Sequence, residues 1–166
     1  KEFCKKYKYV KAINLMKNFG QHNAIMSGLK NSDSDIFILM DSDLQHSPVY
    51  FNKFIENINE GNDVCYAKFT NNKYSAIKRF TSWLNNHTAN MILDKPKNII
   101  LTPFKCFNKI VKREIINYEG PYVYLDGIIC NITQNISTIN IEHNKRLIGG
   151  SSYNFKKLLS LWARHM

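Results

Sequence analysis

The chain lacks any run of about eighteen consecutive apolar residues, the length a helix needs to cross a bilayer, and it lacks the charged, apolar and small-residue order of a secretory signal. No segment is therefore read as spanning a membrane. Glycine and proline are scarce, 7 and 4 residues in 166, which excludes collagen-like and low-complexity chains. Cys4, Cys65, Cys106 and Cys130 have neither CxxC nor zinc-ligand spacing. Three of them sit in apolar runs where a thiol acts as a small hydrophobe, so a reducing compartment is the simplest setting. His22, His46 and His143 share no ligand spacing, and no internal repeat or linker interrupts the chain. Position 1 is lysine instead of methionine, which leads us to expect a piece of a longer protein.

Acid is also in short supply. Lys and Arg number 23 against 13 Asp and Glu, a formal charge of +10 that favours polyanionic partners: nucleic acid, anionic lipid or phosphorylated substrate. The acids concentrate between Asp33 and Asp63, while the first thirty residues and the stretch after His143 are basic. A nucleic-acid module fits poorly, because no basic and aromatic stripe is present and the acids from Asp33 to Asp43 would repel phosphates.

What is present reads as an α/β domain. Tyr9–Leu15 (YVKAINL) has strand composition, Gln21–Lys30 has helical spacing, and Ile36–Met40 (IFILM) is an apolar pentad suited to a strand covered on both faces. Pro48 suits a first helical turn, Phe51, Phe54, Ile55 and Ile58 form one stripe, and Gly61 ends it before a strand at Asp63–Tyr66. This alternation predicts a mostly parallel sheet flanked by helices. Further helices are expected at Lys73–Leu93, Lys109–Tyr118 and Tyr122–Asn135, and strands at Leu101–Phe107 and Thr138–Glu142. Phe155, Leu158, Leu159, Trp162 and Met166 lie on one helical face with Lys156, Lys157 and Arg164 between them, which predicts a basic amphipathic helix over 154–166.

Asp41-Ser42-Asp43 follows the apolar pentad directly, so both carboxylates are expected at the sheet's carboxyl edge, where open α/β folds bind ligands. Such a pair can hold a hard divalent cation together with substrate phosphates, and Gln45 offers a third oxygen. Arg146 precedes a glycine- and serine-containing stretch, where an arginine either meets phosphate in a bidentate fork or is an ordinary exposed side chain.

The strings NLMKNFGQHNAIMSGL (Asn14 to Leu29) and IFILMDSDLQHSP (Ile36 to Pro48) resemble inverting family-2 glycosyltransferases of the GT-A fold. The closer likeness is to the branch using polyprenyl-phosphate acceptors, which includes dolichol-phosphate mannosyltransferases, bactoprenol glucosyltransferases and undecaprenyl-phosphate aminoarabinose transferases. Tyr118–Tyr122 running into Tyr124–Gly127, the RLIGGSSY block from Arg146 to Tyr153, and KKLLSLW from Lys156 to Trp162 are similar to segments of bacterial members.

The resemblance implies a single, N-terminally incomplete GT-A catalytic domain over 1–166, lacking its first strand-helix-strand unit. It implies that Asp41, Asp43 and Gln45 meet Mg²⁺ or Mn²⁺, with Asp41 also near the nucleotide, that Asn18 and Gly20 border the nucleotide, and that Arg146 and Ser151 meet phosphate. It also implies a nucleotide-sugar donor, a polyprenyl-phosphate acceptor and a place on the cytoplasmic face of a bacterial inner membrane, with the terminal helix on the lipid surface. A homo-oligomer stays open.

The chain departs from the pattern at Thr102-Pro103-Phe104-Lys105, where some members carry a carboxylate. A hydroxyl acceptor needs a general base, whereas a phosphate acceptor brings its own negative charge. Asp43 and Asp126 are the candidate catalytic acids, with Asp126 the base if the acceptor is a glycan hydroxyl and otherwise a structural acid or helix cap.

Overall fold

Ile36–Leu39 forms a strand whose four apolar side chains pack on both faces of a sheet. The computed structural model describes residues 2–42, 46–70, 96 and 99–142. In chain order these comprise α1 (Glu2–Lys6), α2 (Gln21–Lys30), β1 (Ile36–Leu39), α3 (Phe51–Asn59), β2 (Val64–Phe69), β3 (Lys105–Asn108), α4 (Lys109–Ile116), α5 (Leu125–Ile132) and β4 (Ile136–Ile141), with a 3₁₀ turn at Pro48–Tyr50 leading into α3. The expected helices over 73–93 and 154–166 lie outside the described residues.

The sheet order is β1-β3-β2-β4. β3 runs antiparallel to both neighbours, and β2 pairs parallel with β4. The expectation of a mostly parallel sheet is thus corrected to a mixed one: β1, β2 and β4 share a direction, but β3 is inserted against them. An apolar run buried on both faces looks the same in either direction, so hydrophobicity alone does not encode this reversal. The reversal also places the first residue of β3 at the carboxyl edge of β1, where Lys105 pairs with Leu39.

The two faces follow the strand alternation. Phe37, Val64, Tyr66 and Phe107 pack with Met26 and Leu29 of α2, Val111 and Ile115 of α4, and Leu125, Ile128 and Ile129 of α5. Cys65, Ala67, Phe104, Cys106 and Ile141 face Phe54 and Ile58 of α3. Local chemistry sets the ends of these helices. Asn108 caps α4 by accepting from the Val111 N–H at 2.9 Å, and Gly61, with φ of 100°, turns the chain after α3.

Three further expectations need correction, the first being the strand expected over Leu101–Phe107, which forms over Lys105–Asn108. Tyr9–Leu15 is irregular, with Tyr9 81% exposed, because a strand needs a hydrogen-bonded neighbour and none of the described residues supplies one. The helix expected over Tyr122–Asn135 is shorter, Leu125–Ile132. The Tyr118 hydroxyl donates to the Tyr122 carbonyl at 3.1 Å and holds the Gly120-Pro121 turn outside it. A side chain at Gly120 would run into the Tyr118 ring.

Candidate functional site

The chain leaves β1 through Met40 into Asp41, which is half-buried at the sheet's carboxyl edge. Asp41 is fixed from two sides. Its Oδ1 accepts from Gln21 Nε2 at 3.0 Å, and its backbone N–H donates to His46 Nδ1 at 2.9 Å. His46 is buried, and its ring stacks on Phe104 with centroids 4.7 Å apart and planes 11° apart, and more distantly on Phe69. The loop after β1 is therefore tied back onto the sheet. Gln21 is the first residue of α2, which Gly20 opens with φ 85° and ψ 165°, a conformation that glycine alone adopts readily. The Gly20 N–H is satisfied by Asn18 Oδ1 at 2.9 Å.

Asp41 opens onto a cleft of about 630 Å³. The start of α2 (Gln21, His22), the exit of β1 (Met40 to Ser42), Thr102, Lys105, and Tyr124 to Asp126 at the start of α5 all reach it. Lys105 is 3% exposed and sits at its floor. A buried ammonium is costly without a partner, and here Asp126 supplies one: Lys105 Nζ pairs with Asp126 Oδ1. The same oxygen accepts from the Tyr66 hydroxyl at 2.8 Å, and Lys105 Nζ lies 5.0 Å from the Tyr66 ring centroid. Tyr66 and Lys105 are cross-strand partners, which explains the contact. Burial, and then the Asp126 charge, push the Tyr66 hydroxyl well above its usual range, and the same two causes push Tyr124 up to about 12. Both phenols stay protonated donors at neutral pH. His22 packs edge-on against Tyr124 with centroids 5.6 Å apart.

A second groove of about 500 Å³ runs between Tyr9–Ile13 and β1. Lys11 and Asp33 are the charged side chains lining it, and no ion pair among the described residues joins them.

Of the residues singled out from the sequence, the fold brings Asp41 and Asp126 to one cleft. Asn18 and Gly20 lie just before α2, exposed, and are not among the residues lining it. Asp43, Gln45, Arg146 and Ser151 lie outside the described residues. Among the described residues no three His, Cys, Asp or Glu side chains gather as a metal site. The Asp41 carboxylate at the cleft is nonetheless a hard oxygen donor of the kind Mg²⁺ and Mn²⁺ prefer. Sequence reasoning missed Lys105, Tyr66 and His46. The one available signal was a lysine inside an otherwise apolar strand, FKCF at Phe104 to Phe107.

A family model described as "Glycosyl transferase family 2" matches residues 1–118. The chain is 26% identical over 158 residues to an undecaprenyl-phosphate 4-deoxy-4-formamido-L-arabinose transferase of Pectobacterium atrosepticum, covering 93% of this chain and 47% of the relative. Proteins of the same description are 27% identical over 157 residues in Proteus mirabilis (92% and 47% covered) and 27% over 156 residues in Pseudomonas fluorescens (92% and 45%). The chain thus spans about half the length of the curated relatives it matches.

Proposed function

Because the chain belongs to glycosyl transferase family 2, we propose that its cleft transfers a sugar from a nucleotide-diphosphate donor to a polyprenyl phosphate, with inversion at the anomeric carbon. The activity for which the relatives are named, an undecaprenyl-phosphate sugar transferase, supports the acceptor class.

The observation that carries this reading is the state of Asp126. It is the one carboxylate among the described cleft residues besides Asp41, and its Oδ1 already holds Lys105 and the Tyr66 hydroxyl. A hydroxyl acceptor must lose a proton as it attacks, and a carboxylate oxygen already engaged by two donors, one of them the Lys105 ammonium, is badly placed to take it. A phosphate acceptor needs no base, since it is already anionic near neutral pH. The protein's task is then to hold two anionic groups in line and offset the charge on the departing diphosphate.

Asp41, with Asp43 and Gln45, would hold Mg²⁺ or Mn²⁺, and that ion supplies charge neutralisation at the leaving diphosphate. Gln21 orients the Asp41 carboxylate, and His46 fixes its backbone. Asn18 and Gly20 border the nucleotide, while Arg146 and Ser151 meet phosphate. In this reading residues 1–166 form part of one GT-A catalytic domain. The basic pattern over 154–166 rests on the cytoplasmic leaflet, lysines at anionic headgroups. Among the described residues no helix is long and apolar enough to cross a membrane.

The test is metal-dependent transfer from a panel of nucleotide sugars to a polyprenyl phosphate, with wild type and Asp126→Asn compared. A phosphate acceptor leaves Asp126→Asn active to within about tenfold, whereas a base acting on a hydroxyl would make its loss cost about 10²–10⁴-fold. No transfer to any polyprenyl phosphate by the protein with its upstream sequence restored refutes the proposal.

A further inference from the structure

Lys105 occupies a position that stability does not explain. It lies in a strand with neighbours on both sides, opposite Leu39 of β1 and Tyr66 of β2, and is almost wholly buried. Replacing a buried ion pair by apolar side chains of similar volume is commonly neutral or stabilising, so packing alone does not favour lysine over methionine here. The position does have one feature a core position lacks. Both Lys105 and Asp126 line the cleft, at the same sheet edge from which Asp41 projects.

We infer that Lys105 is a phosphate-binding cation of this cleft, and that Asp126 is its resident counter-ion, which holds the ammonium in place and competes with the incoming phosphate for it. The inference rests on the transferase reading and assigns that site a ligand group. An ammonium carries three N–H donors, and the pair with Asp126 Oδ1 uses one of them. The Tyr66 ring face backs the charge from one side, and the Tyr66 hydroxyl steadies the Asp126 oxygen. The donors left over serve an anionic oxygen that reaches the floor between Asp126 and the β1 exit. A sugar hydroxyl would gain less there, because a charge-assisted bond to phosphate is roughly twice as strong as a neutral one. With Asp126 present the floor is electrically neutral, so arrival of phosphate divides the ammonium between two anions instead of meeting a bare charge.

The arrangement dictates an unusual sign. Removing the Asp126 charge must tighten phosphate binding, because it removes the competitor. Removing the Lys105 charge must weaken it. A general-base role for Asp126 predicts no such gain, and a purely structural pair predicts that neutralising both partners together leaves binding unchanged.

The phosphate belongs either to the nucleotide donor or to the lipid acceptor, and two probes separate them: a nucleoside diphosphate with Mg²⁺, and a short-chain polyprenyl monophosphate. Dissociation constants are measured by calorimetry for wild type, Asp126→Asn and the neutral pair Lys105→Met with Asp126→Asn, circular dichroism reporting the fold of each. For the probe that reaches Lys105, Asp126→Asn is expected to bind several-fold tighter and the neutral pair about tenfold or more weaker than wild type. The other probe is expected to change little. If wild type binds and Asp126→Asn binds both probes equally or more weakly, the inference is overturned while the transferase reading stands. A folded neutral pair that binds like wild type overturns the inference in the same way. Should Asp126→Asn, which leaves the buried Lys105 ammonium without its carboxylate, fail to fold, the neutral pair decides alone, and should the neutral pair fail instead, the Asp126→Asn arm decides. If wild type with its upstream sequence restored binds neither probe, both readings fall.

Discussion

His46→Phe removes the ring nitrogen that holds the Asp41 backbone at the cleft. Phenylalanine keeps a flat ring to stack on Phe104 at about the separation His46 has, 4.7 Å between centroids, and removes the Nδ1 acceptor of the Asp41 N–H. That N–H belongs to a half-buried residue, so losing its partner costs about 1 kcal/mol, within the range for leaving a donor unsatisfied. His46→Ala loses the same bond, about 0.5–1.5 kcal/mol of ring stacking, and the packing of a buried side chain, for a total of roughly 3 kcal/mol. Urea unfolding followed by circular dichroism gives both values, and the separation between the two variants isolates the contribution of the ring. The loop geometry also predicts a functional difference, because Asp41 is restrained by Gln21 and His46 together. Weaker restraint in His46→Phe should lower affinity for Mg²⁺ with nucleoside diphosphate, and His46→Ala should lower it further. Equal stability of His46→Phe and wild type, together with unchanged ligand affinity, would refute the argument that His46 fixes the Asp41 backbone.

Three other outcomes follow from the geometry. Gly20→Ala forces a side chain into φ 85°, ψ 165° and should destabilise the chain by about 1–3 kcal/mol, read as a lower urea midpoint with α2 content reduced. Lys105→Ala alone strands the Asp126 carboxylate and should cost about 3 kcal/mol, more than the neutral Lys105→Met with Asp126→Asn pair in the same unfolding assay. Burial raises Cys65 to about 11 and Cys106 to about 12, from 9.0 in the unfolded chain, so both stay thiols at pH 8 and should resist a thiol reagent that modifies the partly exposed Cys4. The sign for stability follows from which state binds protons: above about pH 9 the unfolded state releases these protons first, so stability is whole below that pH and falls as pH rises towards 11–12.

The legible parts of the fold are those where burial on one face leaves a period. Ile25 and Leu29 mark α2, and Phe51, Phe54 and Ile58 mark α3, because each helix covers one side of the sheet, whereas Ala24 and Ile55 of the same patterns are exposed. Asp41 is legible for a related reason: acid directly after an apolar strand has to emerge at that strand's end. Tyr9–Leu15 misleads because β-branched and aromatic composition describes a surface that fits a sheet, whereas a strand exists only when another chain segment completes its hydrogen bonds.

Strand direction is the decisive missing quantity, and Lys105 shows why. In a parallel β3 the start of FKCF would lie at the amino edge of the sheet, away from Asp41, and a lysine there would read as an ordinary solvated residue. The antiparallel insertion instead sets Lys105 opposite Leu39, two residues before Asp41, and beside Tyr66. The charge is thereby committed to the cleft, and a carboxylate is then needed within reach, which the first turn of α5 provides at Asp126. The Lys105–Asp126 pair leaves an ammonium at the cleft beside the exit of β1, and such a group suits an acceptor that arrives as an anion better than one that must first be deprotonated.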